Sequence, residues 1–265
     1  MKFISFLSDF GESQEYVGVC KAVILSLCPT CVIVDISHSV PSYDIREGAF
    51  MLKNFVKYAP AGVHMAVIDP GVGTERRGIL IETERGDILV GPDNGVLMNA
   101  AAFLGFKKAV ALENKKYMLE NVSSSFHGRD VFAPAAAYCA QGVSLTEFGK
   151  TLDKEELIEL REKQAKENER AIHTHVTRID RFGNVQLCVA AENVKPFITD
   201  VLPIEIEDEK LMLPFVKTFG EVADGELLVY EDSDGLLTLA QNQGNAAQLL
   251  NIEKDTTIVL LKRNQ

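Results

Sequence analysis

Residues 63–78, VHMAVIDPGVGTERRG, carry the pattern on which the fold prediction rests. The apolar run at 63–68 has the length and composition of a buried strand, and a tight polar loop follows it directly. Pro70 fixes one backbone angle of this loop, and the two glycines allow angles that other residues avoid. The loop therefore holds Asp69, Arg76 and Arg77 in a rigid turn at the end of a strand.

The first half of the chain repeats this alternation of a short apolar run with a longer helical pattern. Predicted strands lie at residues 3–7, 32–36, 63–68, 79–82 and 88–90, and predicted helices at 15–27, 45–58, 94–104 and 132–141. This order predicts an α/β layered domain with a mostly parallel sheet. Ligands bind at the carboxyl ends of parallel strands, and polar motifs follow three of these strands, at residues 8–11, 35–44 and 69–71.

The second half of the chain has a different pattern. Short β-like runs separated by turn residues lie at 174–180, 185–189, 201–206, 211–216, 226–230, 236–240 and 257–261. They predict a small antiparallel barrel or sandwich. A charge-rich segment at 154–171 is the predicted linker. The predicted α/β domain then spans residues 1–165, including the first part of that segment, and the β domain spans 172–265.

The overall composition restricts the class of function. The 265-residue chain has a formal net charge of −11, whereas a protein that binds duplex nucleic acid needs a basic face. No apolar run reaches the roughly 18 residues that a membrane span requires. The amino terminus, MKFISFLSDFGES, makes a poor signal peptide. We expect a cytoplasmic protein that binds neither nucleic acid nor membrane.

Five cysteines are spread along the chain, and two of them, Cys28 and Cys31, have the spacing of a redox motif or of half a zinc site. A structural zinc site needs a second pair of similar spacing, and the sequence has none. A redox motif normally starts a helix after a strand, whereas this pair falls between a predicted helix end and the next strand. We therefore expect cysteines that only pack, and no metal site.

Three groups in the first half are candidates for a functional site. Asp9 follows the first strand, where a carboxylate accepts hydrogen bonds from a ribose diol or serves as a turn or helix-capping residue. An arginine that reaches back to Asp69 would lower the pKa of this acid and fix its orientation, or merely hold the loop together. His127 lies beside Gly128 in SSSFHGRDVFAP, where it is a candidate acid or base or a structural histidine.

Two polar loops in the second half are weaker candidates. IDRFGNVQ contains Asp180, Phe182 and Asn184, and an asparagine can pair with an adenine edge while a phenylalanine stacks on a base. The same letters also fit an ordinary turn between strands. The loop in LTLAQNQGNAAQLL, with Asn242 and Gln243, either cradles a ligand or caps a helix. Nucleophile-elbow, Walker A and dinucleotide motifs are absent from the sequence. The residues alone support a two-domain enzyme that binds a nucleoside-like ligand without metal, and they do not name its reaction.

Taken together, the motifs resemble those of the S-adenosyl-L-methionine (SAM) hydroxide adenosyltransferases, or SAM hydrolases, which are relatives of the SAM-dependent fluorinase and chlorinase. From Ile4 to about Leu250, seven of them occur in the family's order and spacing: LSDFG, DISHSVPSYDIREGAF, VIDPGVGTERR, GPDNGVL, SFHGRDVFAP, IDRFGN and LAQNQGNAA. The resemblance implies an α/β domain followed by a β-barrel domain. It also implies a homotrimer that binds substrate between the first domain of one subunit and the second domain of its neighbour.

The resemblance further implies roles for individual residues. The family's Asp–Arg–His set matches Asp69, Arg76 and His127, and its ribose-binding acid matches Asp9. The other matches contact the two ends of the substrate: Asp180 the methionine ammonium, Ser233 the methionine carboxylate, Phe182 and Asn184 the adenine side, and Asn242 and Gln243 the backbone that lines the adenine. SAM is the substrate in this family, so no cofactor is implied.

The implied reaction is attack of water on the ribose C5′ of SAM, which gives adenosine and L-methionine. A sulfonium is already a good leaving group, so the site has to place a water in line behind C5′ and take up its proton. We expect Asp69 and Arg76 to form a charge pair that fixes the site, and His127 to take part in proton transfer.

Three alternative functions follow from the same motifs. Halogenases of the family have a tyrosine where this chain has Asp69, and the fluorinase has a serine in place of Gly128 and an insertion that this chain lacks. A carboxylate at position 69 would repel a halide ion, which favours water as the nucleophile. The remaining alternatives are a SAM- or adenosine-binding protein with little turnover, and a structural protein whose polar loops are only turns.

Overall fold

The computed structural model describes residues 2–161, 163–207 and 209–262. The chain divides into two compact parts, residues 1–161 and 162–265, which we call unit 1 and unit 2. Glu162, within the predicted linker, lies outside the described residues. So do Met1, Asp208 and residues 263–265 of the predicted domains.

A mixed β-sheet forms the centre of unit 1. In the described residues it has seven strands: β1 (Lys2–Ser8), β2 (Cys31–Ser37), β3 (Val63–Val67), β4 (Gly78–Thr83), β5 (Ile88–Pro92), β6 (Phe106–Ala111) and β7 (Thr151–Leu152). Their spatial order is β2-β1-β3-β5-β4-β6-β7. The first four pair in parallel, and the pairs from β5 through β4 and β6 to β7 are antiparallel. Only β4 and β7 therefore run against the common direction, which confirms the predicted α/β class with a mostly parallel sheet.

Helices cover both faces of this sheet: α1 (Tyr16–Leu27), α2 (Ile45–Val56), α3 (Met98–Leu104) and α4 (Ala133–Ala140). Successive side chains of a strand point to opposite faces, so neighbouring residues enter different cores. Met65 of β3 packs into the core that contains α1 and α4, and Ala66 into the core that contains α2 and α3. Within the described part of the chain, no helix is long and apolar enough to cross a membrane.

Helix α3 begins at Met98, later than the predicted start at residue 94. Asn94 explains the difference because its side chain fastens the preceding turn. Its Nδ2 donates to the Ile68 carbonyl at 2.8 Å, and its Oδ1 accepts the Val96 N–H at 3.2 Å. These bonds hold the Asn94-Gly95 turn against the chain just past β3, and the helix starts only after it.

Cys28 and Cys31 form a disulfide, which corrects the expectation that these cysteines only pack. Cys28 ends α1 and Cys31 begins β2, and their Cα atoms are 5.5 Å apart, within the usual range for a disulfide. Both residues also lie in the hydrophobic core of unit 1. The spacing in the sequence was compatible with pairing, but only the tight turn from helix to strand brings the two sulfur atoms together.

Unit 2 is a nearly closed antiparallel β-barrel. Its described strands are β8 (Lys166–Glu167), β9 (Ala171–Ile179), β10 (Val185–Ala190), β11 (Val201–Ile206), β12 (Glu209–Pro214), β13 (Leu227–Glu231), β14 (Leu236–Gln241) and β15 (Thr257–Leu261). The sheet runs β12-β11-β15-β9-β10-β14-β13, with β8 paired to β9. At the seam, the Val216 N–H donates to the Val229 carbonyl at 3.0 Å and links the chain after β12 to β13. This link confirms a barrel rather than a sandwich.

Candidate active site

A cavity of about 240 Å³ lies in unit 1 at the carboxyl ends of adjacent parallel strands. Asp9 follows β1 directly, and Asp69 lies just past the end of β3. The loop after β2 adds Ser42 and Tyr43. The remaining lining residues are Phe10, Tyr16, Val67, Val72, Ser125, Phe126, His127 and Gly128. The strand-end motifs predicted from the sequence therefore meet around one cavity.

Asp69 and Arg76 form a bidentate ion pair beside this cavity. The Arg76 Nε donates to Asp69 Oδ1 at 3.0 Å, and the Arg76 Nη2 donates to Asp69 Oδ2. Both side chains are nearly buried: 8% of the Arg76 side chain and 6% of the Asp69 side chain are exposed. The guanidinium also lies over the ring of Phe132, 5.3 Å from its centre, which fixes its plane further. The Arg76 guanidinium is thus fixed by Asp69 and by the Phe132 ring.

The neighbouring Arg77 points elsewhere. Its Nε and Nη2 donate to Asp93 Oδ2 at 3.0 and 2.6 Å, and its Nη2 also reaches the Glu156 carbonyl. The Asp93 carboxylate in turn accepts the Ile158 N–H at 3.0 Å. The two adjacent arginines therefore have different partners. Arg76 pairs with Asp69, and Arg77 links the segment before β4 to the end of unit 1 through Asp93 and the Glu156 carbonyl.

Contrary to expectation, the pKa of Asp69 is raised. Burial raises it by disfavouring the charged carboxylate, and this effect outweighs the opposing charge and hydrogen bonds of Arg76. The predicted lowering considered only the arginine and not the loss of water around a nearly buried acid. Arg76 donates to both oxygens of the Asp69 carboxylate and the Gly71 N–H also bonds to it, which leaves one of its four lone pairs. Asp69 is therefore an acceptor whose affinity for a proton is higher than usual.

His127 completes the cluster through Arg76. Its Nδ1 lies 3.1 Å from the Arg76 Nη2. Since an arginine only donates hydrogen bonds, Nδ1 accepts and the imidazole carries its hydrogen on Nε2. Burial, with the Arg76 charge as the second cause, lowers the pKa of His127 below its ordinary value. The imidazole is thus neutral at physiological pH and presents one N–H donor.

The segment that carries His127 is shaped to bring the histidine to the cavity. A π-helical turn, Gly128–Phe132, follows it and leads into α4, and such turns recur at functional sites. Gly128 is required for space, because a Cβ atom there would lie 2.8 Å from Cζ of Phe10. The sequence pattern of a glycine beside His127 therefore reflects close packing against the loop that carries Asp9.

Asp9 does not cap helix α1, which was one of its two possible structural roles. The residue before that helix is Glu15, and it makes no side-chain capping bond. Asp9 Oδ2 instead accepts the Tyr43 N–H at 2.9 Å. Tyr43 adopts a left-handed backbone with φ of 67°, a costly conformation that clusters at functional sites. Asp9 thus lies in the cavity and fastens the loop after β2 across it.

In unit 2, the Asp180 side chain is the centre of a turn. Its Oδ1 accepts the N–H groups of Phe182 and Asn184 at 2.8 and 2.9 Å, and its Oδ2 accepts Asn184 Nδ2 at 2.8 Å. The Asp180 carboxylate therefore accepts three hydrogen bonds within its own turn, two of them from Asn184. The ring of Phe182 is 72% exposed, which leaves it open to stack on a ligand.

The predicted residues of the second loop lie at the same end of the barrel as Asp180. The Ala247 N–H donates to the Gly183 carbonyl, which joins the two loops. Asn242 is buried and donates through Nδ2 to the Val222 carbonyl at 3.0 Å, and Gln243 is exposed with a left-handed φ of 51°. Ser233 is exposed and lies at the other end of β14, before Leu236. The loops that carry Asp180 and Asn242 thus adjoin each other, and Ser233 lies in the turn between β13 and β14, next to Asp232.

Three aromatic residues of the cavity were not predicted from the sequence to be functional. Phe10, Tyr16 and Phe126 pack edge to face, with ring centres 5.3 to 6.2 Å apart. Single aromatic residues in loops give no periodic signal, so only the fold shows that they meet. No group of three metal-ligating side chains suited to an ion occurs among the described residues.

Comparison with known proteins gives the same family for both halves of the chain. Residues 4–149 match the model of the SAM hydroxide adenosyltransferase N-terminal domain, and residues 174–259 match that of the C-terminal domain. An (R)-S-adenosyl-L-methionine hydrolase of Salinispora tropica is 42% identical over 251 residues, or 94% of each chain. A fluorinase of an Actinoplanes species is 26% identical over 98% of this chain and 97% of its own. The crystal structure of an uncharacterized conserved protein from Thermotoga maritima aligns with a TM-score of 0.89 at 35% identity, covering 97% of this chain and 99% of that one.

Proposed function

This chain belongs to the SAM hydroxide adenosyltransferase family, and on that premise we propose that it is an enzyme that hydrolyses SAM to adenosine and L-methionine. The support is twofold. The relative named as a hydrolase shares 42% identity over nearly the whole chain, against 26% for the fluorinase. The observation that carries the proposal is the nearly buried Asp69–Arg76 pair, joined to His127, at the edge of the cavity.

In the proposed reaction a water molecule attacks C5′ of the ribose in line with the departing sulfur. A new C5′–O bond forms as the C5′–S bond breaks, and its electron pair converts the sulfonium to the neutral thioether of methionine. One proton leaves the water, and adenosine is released with that oxygen at its 5′ position. Because the sulfonium leaves readily, we propose that neither an acid at sulfur nor a cofactor takes part.

We propose that Asp69 accepts the proton of the attacking water. Its raised pKa and its remaining lone pair suit it to this role. His127, with its hydrogen on Nε2, can donate to the water oxygen, and Arg76 holds both residues in place. Asp69 thus makes the first proton transfer, whereas from the sequence we expected His127 to take part in proton transfer and Asp69 only to fix the site.

The remaining assignments are also proposals. We propose that Asp9 binds the ribose diol. In unit 2 we assign Asp180 and Ser233 to the methionine part and Phe182, Asn184, Asn242 and Gln243 to the adenine side. We further propose a homotrimer in which unit 2 of a neighbouring subunit completes each site, a proposal that rests on the family resemblance.

We propose a cytoplasmic location because SAM is available there as a substrate. The Cys28–Cys31 disulfide is a feature that points the other way, since cytosolic thiols are generally kept reduced. Trapping the thiols with an alkylating reagent during cell lysis would show which state the pair has in the cell.

The decisive experiment follows an oxygen atom. The purified protein is incubated with SAM in water enriched in oxygen-18, and the products are identified by mass spectrometry. We expect methionine and adenosine with the label at the 5′ hydroxyl. A 5′-halogenated adenosine in the presence of halide salts would contradict the proposal.

Asp69→Asn is the matched control because it preserves the shape of the side chain but not its basicity. We expect its turnover to fall by about 100-fold or more while it still binds adenosine. Adenosine binding without turnover in the wild type would instead favour a binding protein. If a large excess of adenosine does not raise the melting temperature either, the polar loops are only turns, since a ligand at a hundredfold its Kd stabilises by about 2.7 kcal/mol.

A further inference from the structure

Strand β1 carries two buried serine–histidine pairs. Ser5 Oγ lies 2.8 Å from His64 Nδ1, and Ser8 Oγ lies 2.7 Å from His38 Nδ1. All four side chains are at most 4% exposed. The two pairs are therefore alike in chemistry, length and burial, and they differ in their surroundings.

The Ser8–His38 pair adjoins the cavity. Ser8 is the last residue of β1, and Asp9 follows it. The Phe10 N–H points to Ser8 Oγ at 3.4 Å, and the Gly11 N–H donates to the His38 carbonyl at 2.8 Å. His38 thus holds the chain on both sides of Asp9, through its ring before the acid and through its carbonyl after it.

The direction of the hydrogen bonds follows from burial. A buried hydroxyl hydrogen needs an acceptor, and Nδ1 of His38 is the acceptor within reach of Ser8. The ring then carries its hydrogen on Nε2, which lies 3.1 Å from Asp35 Oδ1 but off the line of a good hydrogen bond. The Phe6 ring packs edge on against His38 with ring centres 4.6 Å apart, which fixes the imidazole in one orientation.

We propose that His38 is a positioning residue for Asp9. Through Ser8 Oγ and the Gly11 N–H it fixes the turn from which the Asp9 carboxylate reaches the ribose diol of SAM. The Tyr43 N–H holds the same carboxylate from the other side. The inference rests on the proposed function in one respect, which is that Asp9 binds the ribose.

The test compares Ser8→Ala with Ser5→Ala, because each removes one buried serine–histidine hydrogen bond from the same strand. We expect similar losses in melting temperature. Only Ser8→Ala should raise the KM for SAM and the Kd for adenosine, each by about fivefold, the equivalent of one hydrogen bond. Its kcat should be unchanged, because the ribose is held equally in the ground and transition states.

A second pair of variants tests the histidine itself. In His38→Asn the amide can occupy the place of Nδ1 and bond to Ser8, whereas in His38→Gln it reaches the place of Nε2. We expect the Asn variant to keep a lower KM for SAM than the Gln variant at equal stability. This difference would not arise if the ring only filled space beneath Phe6.

Two results would overturn the inference. One is an equal effect of Ser8→Ala and Ser5→Ala on KM and on adenosine binding, and the other is a KM for His38→Asn no better than that for His38→Gln. Failure of the proposed function gives a separate result, in which the wild-type protein itself neither hydrolyses SAM nor binds adenosine.

Discussion

Asp69 is the residue at which the chemistry of the site is concentrated. It is nearly buried, it accepts two hydrogen bonds from Arg76, and burial raises its pKa above the ordinary value. A rigid acid of this kind repels an anion but accepts a proton from a neutral water. The fixed carboxylate is thus the physical reason to expect hydrolysis and not halide transfer.

The two adjacent arginines give a prediction at the same scale. We expect Arg76→Lys to lower kcat by about 100-fold, because an ammonium cannot hold both Asp69 oxygens and His127 together. Arg77→Lys, the matched control, should leave kcat unchanged and cost about 1 kcal/mol of stability through the weakened Asp93 pair. Steady-state kinetics and thermal unfolding of both variants measure these effects. Equal losses of kcat would show that Arg76 acts only as a structural residue.

At the scale of the elements, a buried polar network joins β1, β3 and the turn before β5. His64 Nε2 lies 2.9 Å from Asp87 Oδ1, and Arg85 donates to both oxygens of Asp87. Burial acts to raise the pKa of Asp87, but the bonds from His64 and Arg85 outweigh it and hold this pKa well below its ordinary value. A folded-state pKa below the unfolded one stabilises the protein at neutral pH, and this contribution is lost as the pH falls below about 4.

We therefore expect Asp87→Asn to lower the free energy of unfolding by about 3 kcal/mol at pH 7, because the buried His64 and the guanidinium of Arg85 lose the carboxylate to which they are hydrogen-bonded. The difference from the wild type should shrink as the pH falls from 4 to 2. Urea unfolding followed by circular dichroism at several pH values measures it. Glu82→Gln is the control: Glu82 pairs with Lys107 and Lys108 at the surface and should contribute about 1 kcal/mol or less. A constant difference at all pH values would exclude the network as its source.

The elements were largely predictable from the sequence, since hydrophobic period and turn residues depend on local chemistry. The parallel strands and the barrel strands followed from such patterns, whereas the choice of Arg76 as the partner of Asp69 followed from the family resemblance. Strand β6 (Phe106–Ala111) was not predicted although its pattern is local, whereas the other features that escaped prediction depend on three-dimensional proximity. The Cys28–Cys31 bond, the later start of α3 after Asn94, and the bond from Tyr43 to Asp9 each require knowing which segments meet. The raised pKa of Asp69 likewise depends on burial, which one loop sequence does not show.

At the scale of the whole molecule, the cavity with Asp69 belongs to unit 1, whereas Asp180 and Asn242 belong to unit 2. In the proposed trimer a complete site takes these two sets from different subunits. Two variants that are each inactive, one altered in unit 1 and the other in unit 2, should then complement each other when their subunits mix.

We expect Asp69→Asn and Asp180→Ala to be nearly inactive alone. After joint denaturation and refolding at equal amounts, about a quarter of the wild-type activity should return, because each site needs an intact unit 1 and an intact neighbouring unit 2, each with a probability of one half. Either variant refolded alone is the control. If the mixture stays inactive while native mass spectrometry shows mixed trimers, each site is built within one chain.

The divergence of Arg76 and Arg77 also has an evolutionary consequence. Their side chains serve different acids, so the number of residues between Asp69 and β4 decides which guanidinium reaches which partner. Substitutions at the exposed Glu75 leave that count intact, whereas deletion or insertion of a single residue nearby would shift both arginines out of place at once. In a library of variants, this loop should accept many residues at position 75 but only one length.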